Sequence, residues 1–166
     1  MNAIDLTCEQ DIVLIFNSKT YSLPSHLLVY FKTIKTQMDD SRDMNWKISP
    51  LEIPHYKNGV YELMDIIVTF TQLCFDNENK SEDDNVNINW KNEFFKANEK
   101  KILSLYDAAD YFELELMVEG IEDYISNIIK ISTIEQIRAF FNQPDDLTRE
   151  EKRQNAEKIK CYTFCK

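Results

Sequence analysis

Residues 11–28 read D-I-V-L-I-F-N-S-K-T-Y-S-L-P-S-H-L-L. The run Asp11 to Phe16 is β-branched, apolar and of strand length, Asn17, Ser18 and Lys19 supply turn chemistry, and Thr20 to Leu23 reads as the returning strand of a hairpin. Pro24 stops the sheet, and Ser25 is placed to cap a helix over about 25–37, in which Leu27, Leu28, Phe31 and Ile34 recur at helical spacing. Residues 38–46 read as a polar loop. Ile48 to Ile53 alternates next to Pro54, which predicts a short edge strand tolerant of Pro50. A small sheet therefore opens the chain.

Downstream the period changes to that of helices. From Asn58 onward Val60, Leu63, Met64, Ile67, Val68, Phe70, Leu73 and Cys74 predict a helix that is apolar on more than one face and hence central. Residues 76–89 carry five acidic residues against Lys80 and read as a mobile acidic insert. Trp90 restarts helical structure, Lys100 to Phe112 gives a second helix, and Leu114 to Ile131 a third, in which Gly120 points to close helix packing. Thr133 with Gln136, and Thr148 with Glu151, are capping boxes that start two more helices. The fold class is α+β, a small sheet with helices followed by an all-helical C-terminal half.

Composition removes several kinds of chemistry. The 166 residues contain only Gly59 and Gly120 as glycines, where about a dozen would be average. A phosphate-cradling loop or a G-x-S-x-G elbow is thereby excluded. His26 and His55 are the only histidines and sit in no zinc-hydrolase or deaminase motif. A net charge of -10 opposes nucleic acid and anionic lipid as partners. The apolar run Ile66 to Phe75 is too short to span a bilayer, and residues 1–10 lack the features of a signal peptide. The four cysteines, Cys8, Cys74, Cys161 and Cys165, are expected to be free thiols in a reducing compartment. The expectation is a soluble, intracellular protein.

Candidate catalytic groups reduce to carboxylates at helical spacing, Asp107, Asp110 and Glu113, which fit a solvated helix face better than general acid–base work. Cys161 and Cys165 could form half a metal site but have no second pair nearby. The expectation is no enzyme activity, no cofactor and no metal. The surplus of large apolar residues over 118–141 is either core or a surface for a partner helix, and the pattern leaves both readings open.

Five blocks carry a resemblance: W-K-N-E-F-F at 90–95, L-Y-D-A-A-D-Y-F at 105–112, N-I-I-K-I-S-T-I-E-Q-I-R-A-F-F-N at 127–142, D-D-L-T-R-E-E at 145–151 and, more weakly, D-I-V-L-I-F at 11–16. In this order they resemble the S-phase-kinase-associated protein family, the Skp-type adaptors of SCF ubiquitin ligases. The resemblance implies a BTB/POZ fold over residues 1–112, interrupted by the insert 76–89, and a C-terminal helical F-box-binding region over 113–166. It further implies a non-catalytic role bridging a cullin to F-box proteins in the cytoplasm and nucleus, with homodimerisation of the free chain left open.

Carried over position by position, Asp110 and Tyr111 match the asparagine and tyrosine that face the cullin. Val118, Ile125, Ile129, Ile137, Arg138, Phe141, Asn142 and, on the last helix, Tyr162 match the F-box surface. The chain departs from the family in four respects. Asp110 exchanges an amide for an acceptor-only carboxylate, which motivates the alternative of an F-box-binding structural or decoy protein that has lost cullin binding. Ile131 and Ile134 stand at a usual glycine and proline, extending the apolar strip. Cys161, Tyr162 and Phe164 replace a tail tryptophan. Residues 149–166 hold six basic against three acidic residues, net +3, where the family tail is acidic.

Overall fold

The computed structural model describes residues 11–40, 50–53, 59–79 and 89–163. The chain forms two compact units, Met1–Tyr124 and Ile125–Lys166.

In the first unit β1 (Ile12–Phe16) and β2 (Lys19–Leu23) pair antiparallel from Ile12 opposite Leu23 to Phe16 opposite Lys19. Asn17 and Ser18 take φ of 46° and 71°, the left-handed pair that matches a two-residue turn to strand twist. β3 (Leu51–Glu52) lies parallel to β1 on its other edge, in the order β2-β1-β3. Ile12, Leu14 and Phe16 turn to the core, while Val13 is exposed. The predicted edge strand thus exists, although 48 and 49 lie outside the described residues.

The helix expected over 25–37 is two elements. Ser25–Tyr30 is a 3-10 helix, Phe31 breaks it at φ -97° and ψ 77°, and α1 runs Lys32–Asp40. Pro24, and not Ser25, occupies the N-cap, with no side-chain capping bond. The break reconciles two demands: Leu27, Leu28, Phe31, Ile34 and Met38 are all buried, and a three-residue period followed by a 3.6-residue period brings all five inward. Met38 to Asp40 are helical where a loop was expected; the rest of that stretch is outside the described residues.

A 3-10 turn at Tyr61–Leu63 leads into α2 (Met64–Glu78). This is the central helix its composition predicts, with Met64, Ile67, Phe70, Thr71 and Cys74 buried. The one buried polar residue on it, Thr71, donates its hydroxyl hydrogen bonds to the carbonyls of Ile67 and Val68 at 3.2 and 3.0 Å. Residues 76–78, expected within a mobile insert, belong to α2. Asp76 accepts from Gln72 at 2.7 Å and Glu78 accepts from the Tyr30 hydroxyl at 2.6 Å. The remainder of the insert, 80–88, lies outside the described residues.

Helices α3 (Trp90–Ala97), α4 (Ile102–Tyr111) and α5 (Glu115–Ile131) complete the helical elements expected there. Phe112 links the sheet to the helices: its ring lies 6.4 Å from Phe16 and 5.7 Å from Phe31. Phe70 gathers Trp90, Phe94 and Phe95 at 5.3 to 5.4 Å. Gly120 is buried against Phe95, which bears out the close packing expected of it.

The second unit holds the end of α5, then α6 (Ile134–Phe140) and α7 (Arg149–Thr163). Both capping boxes form. The Gln136 N–H donates to Thr133 Oγ1 at 3.3 Å while the Thr133 N–H donates to Gln136 Oε1 at 2.8 Å. Thr148 and Glu151 repeat the exchange at 3.3 and 2.8 Å.

Among the described residues no helix is long and apolar enough to cross a membrane. The α+β class is borne out: a three-stranded sheet within a mainly helical chain.

Candidate functional site

Two groups hold the residues singled out from the sequence. The first is the end of α4, in the first unit. Asp110 is exposed and Tyr111 is half-buried, its ring 5.0 Å from Phe112. The Tyr111 carbonyl accepts from Thr33 Oγ1 on α1 at 2.8 Å, which fixes the last turn of α4. Burial holds the Tyr111 hydroxyl above its ordinary range. Glu113 follows at φ 53°; its N–H donates to Asp110 O and the Leu114 N–H to Ala109 O, at 3.0 and 2.8 Å. This is a Schellman ending with glutamate in the seat usually taken by glycine. Asp107, Asp110 and Glu113 are all exposed, so none has the desolvated setting that general acid–base work needs.

The second group of residues is helical, with Val118 in the first unit and the others in the second, and its exposed members are Ile129, Ile131 and Ile134. On α5, Val118, Ile125 and Ile129 are spaced seven and four apart, on one helix face. Val118 and Ile125 are half-buried, and Ile129 is 45% exposed. Ile131 is 85% exposed and Ile134, at the start of α6, 56%. Ile137, Arg138 and Phe141 are half-buried, with the Phe140 and Phe141 rings edge-on at 5.0 Å. Tyr162 and Cys161 lie on α7 with side chains outside the described set, as does all of Cys165.

Asn142 has a structural part that its sequence position did not announce. It sits at φ 51°, its N–H donates to Ala139 O at 3.2 Å, and the Gln143 N–H donates to Arg138 O at 2.8 Å. It therefore closes α6 as a second Schellman ending.

Asp145 is the residue the sequence reading missed: it enters only within the block 145–151, with no role of its own. Its carboxylate bridges Arg138 of α6 and Lys152 of α7. A signal was present: Asp145 stands seven residues from each cation, flanked by a helix end and a capping box. The hydrogen bond from Lys152, with both cations beside it, holds the Asp145 carboxyl below the usual carboxylate range.

The remaining candidates have ordinary surroundings. His26 Nε2 lies 2.8 Å from Gln72 Oε1 and its ring 4.9 Å from Phe75, a satisfied surface histidine. His55 lies outside the described residues. Cys74 is buried, and burial pushes its thiol up to about 11. Among the described residues, no group of three or more His, Cys, Asp or Glu is placed to hold a metal ion.

Residues 122–161 match the family model described as Skp1 family, dimerisation domain. That stretch covers the end of α5, α6 and most of α7. Two curated relatives from Arabidopsis thaliana bear it out. SKP1-like protein 9 is 39% identical over 62 residues, 37% of this chain and 40% of that protein. SKP1-like protein 21 is 39% identical over 59 residues, 36% of this chain and 17% of that protein. The chain thus spans less than half the length of either relative, and its resemblance to Skp1-type proteins is borne out.

Proposed function

We propose that the chain is a non-catalytic adaptor of an SCF-type, cullin-RING ubiquitin ligase. In this reading residues 113–166 hold an F-box protein and the end of α4, with Asp110 and Tyr111, faces a cullin. The adaptor acts by position, setting the distance and orientation between scaffold and substrate receptor inside the cell.

The observation that carries the reading is the exposure of Ile129, Ile131 and Ile134 within the Skp1-type stretch. Fully burying an exposed isoleucine contributes about 1.5–3 kcal/mol, and the part of that gain still open at these positions is available to a partner. A helix with an apolar face is the partner such a surface fits. Exposure on this scale within one short segment is a feature of interaction surfaces.

A second reading keeps the F-box surface and drops the cullin. It rests on Asp110, an exposed carboxylate that accepts hydrogen bonds and donates none. Co-expression with an F-box protein and a cullin N-terminal domain, followed by size exclusion, separates the two. A ternary complex supports the adaptor. An F-box complex that excludes the cullin supports the second reading, and the absence of any F-box complex overturns both.

A further inference from the structure

Between the 3-10 helix Ser25–Tyr30, the start of α1, α2 and the turn from α4 into α5 lies a pocket of about 100 Å³. All of its walls belong to the first unit. Phe70, Cys74, Leu114 and Met117 form its floor and are buried. Thr71 also lines it, but its hydroxyl hydrogen goes to the Ile67 and Val68 carbonyls. Water needs roughly two to four polar partners to sit well in such a space. These walls supply few, so an apolar group that displaces water here gains. A dry cavity of about 150 Å³ takes benzene, and the smaller space suits a single aliphatic group of about four carbons.

The rim has a different character. Val29 is 55% exposed and Leu116 half-buried, so the apolar surface continues beyond the mouth. A ligand that filled only the pocket would leave this margin in water, whereas a chain segment laid across the mouth covers both. Lys32, at the first position of α1, pairs with Glu115, at the first position of α5. Both are exposed, and an exposed pair of this kind opens at little cost. Glu113 also lines the pocket, and among the described residues no cation pairs with it. Its carboxylate is the rim charge left over, on a residue that holds an unfavourable φ of 53° where glycine would serve.

We propose that the pocket is a docking seat for a protein partner whose contacting segment sets a leucine-sized side chain beside a lysine or arginine. The aliphatic group fills the pocket as an anchor, and the cation meets Glu113 at the rim. Volume selects the anchor, and the uncompensated carboxylate selects its neighbour. The seat is independent of the adaptor reading, since it is built from residues 29–117 and not from the Skp1-type stretch 122–161.

The test is nuclear magnetic resonance on the full chain, isotope-labelled at its methionine methyl groups. Met117 lines the pocket, and Met38 and Met64, buried elsewhere, serve as controls. The probes are acetyl-Leu-Lys-amide, acetyl-Leu-Gln-amide and acetyl-Gly-Lys-amide, titrated to millimolar concentration. Acetyl-Leu-Lys-amide is expected to shift the Met117 signal and to bind about threefold more tightly than acetyl-Leu-Gln-amide, the gain of one exposed ion pair. Acetyl-Gly-Lys-amide should leave the signal in place. Glu113→Gln should erase the difference between the two leucine peptides. Cys74→Leu fills the floor and should abolish both shifts, while the Met38 and Met64 signals report the fold.

No Met117 shift with either leucine peptide, an equal shift with the glycine peptide, or a lysine preference that survives Glu113→Gln overturns the proposal. Shifts that persist in folded Cys74→Leu place the peptides elsewhere and overturn it as well. So does isobutanol binding as tightly as acetyl-Leu-Lys-amide, since the pocket then takes a small molecule. A Met117 shift that grows with protein concentration alone also overturns it, because a second copy then fills the seat. If Cys74→Leu fails to fold, the Glu113→Gln comparison decides by itself.

Discussion

A Cβ atom placed on Gly120 would lie 2.8 Å from Cε2 of Phe95 and 3.0 Å from its Cζ. The ring has little room to yield, because Phe95 is fully buried and packs against Phe70, Phe94 and Tyr124 at 5.4, 5.6 and 6.0 Å. Here α5 makes its close approach to α3.

Gly120→Ala should therefore destabilise the protein, although alanine is the better helix former. Propensity gains about 1 kcal/mol, whereas overpacking a filled site costs about 1–3 kcal/mol. The expected net loss is up to about 2 kcal/mol, read as a lower urea midpoint at unchanged slope. Phe95→Leu in the same background should recover part of it; an unchanged midpoint in Gly120→Ala would show that the ring moves freely.

Glu113 and Asn142 hold left-handed seats at φ 53° and 51°. Glycine at 113 should stabilise by about 0.5–1 kcal/mol, because a glutamate Cβ is unfavourable there. Asn142→Gly should gain only a few tenths of a kcal/mol, asparagine being the side chain that best tolerates this region. Thermal unfolding checks both. A drop in melting temperature for Glu113→Gly would mean that its side chain has a role beyond ending α4.

The Asp145 bridge gives α7 a dependence on acidity. A carboxyl whose pKa is depressed in the folded state stabilises that state above its unfolded value, about 3.9, and loses the contribution as pH falls through the lower folded value. Glu150 and Glu151 act in the same direction, lowered chiefly by hydrogen bonds from Arg153 and Thr148 respectively. Hydrogen-exchange protection at the start of α7 should fall on acidification. Asp145→Asn should lower protection near neutral pH and flatten its pH dependence; an unaltered profile would deny the bridge any part in seating α7.

Cys74 should be chemically quiet. Its thiol is buried and protonated at neutral pH, and the thiolate is the reactive form. Peptide mapping after iodoacetamide treatment should find Cys74 unmodified in native protein and modified in urea. Rapid native labelling would require an opening near α2.

For the partner surface, Ile137→Asp and Phe141→Asp should each abolish F-box binding while the circular dichroism stays native. Both side chains are half-buried, and a carboxylate at either place puts an unpaired charge into the contact. Persistent binding with a native spectrum would move the F-box surface elsewhere.

Elements with one local cause were legible in the sequence. The hairpin followed from a β-branched run ending in Asn17 and Ser18, and both capping boxes from a threonine with Gln or Glu three residues on. The break at Phe31 was not legible, because it satisfies packing demands from residues distant in sequence, and either helical period fits Leu27, Leu28 and Ile34. The extension of α2 through Glu78 depends on Tyr30, forty-eight residues away. For the site, residue types left core and partner surface both open and the resemblance favoured a surface, with which the exposure of Ile129, Ile131 and Ile134 agrees. Asp145 was overlooked because a carboxylate between two helices looks like any other loop residue until both cations are in place.

The third strand has a kinetic meaning that its size conceals. Among the described residues β3 holds two register pairs, Leu14 with Leu51 and Ile15 with Glu52, plus the Ile53 N–H on the Ile15 carbonyl at 3.0 Å. The hairpin closes over two turn residues, whereas β3 must return to β1 across a crossover that includes α1. Local contacts form early and long closures late. The sheet is thus expected to assemble in two stages, a hairpin that needs only its own neighbourhood and an outer strand that docks after the longer closure. On unfolding, β3 is expected to part from the sheet first, as hydrogen exchange at the Ile53 N–H would show.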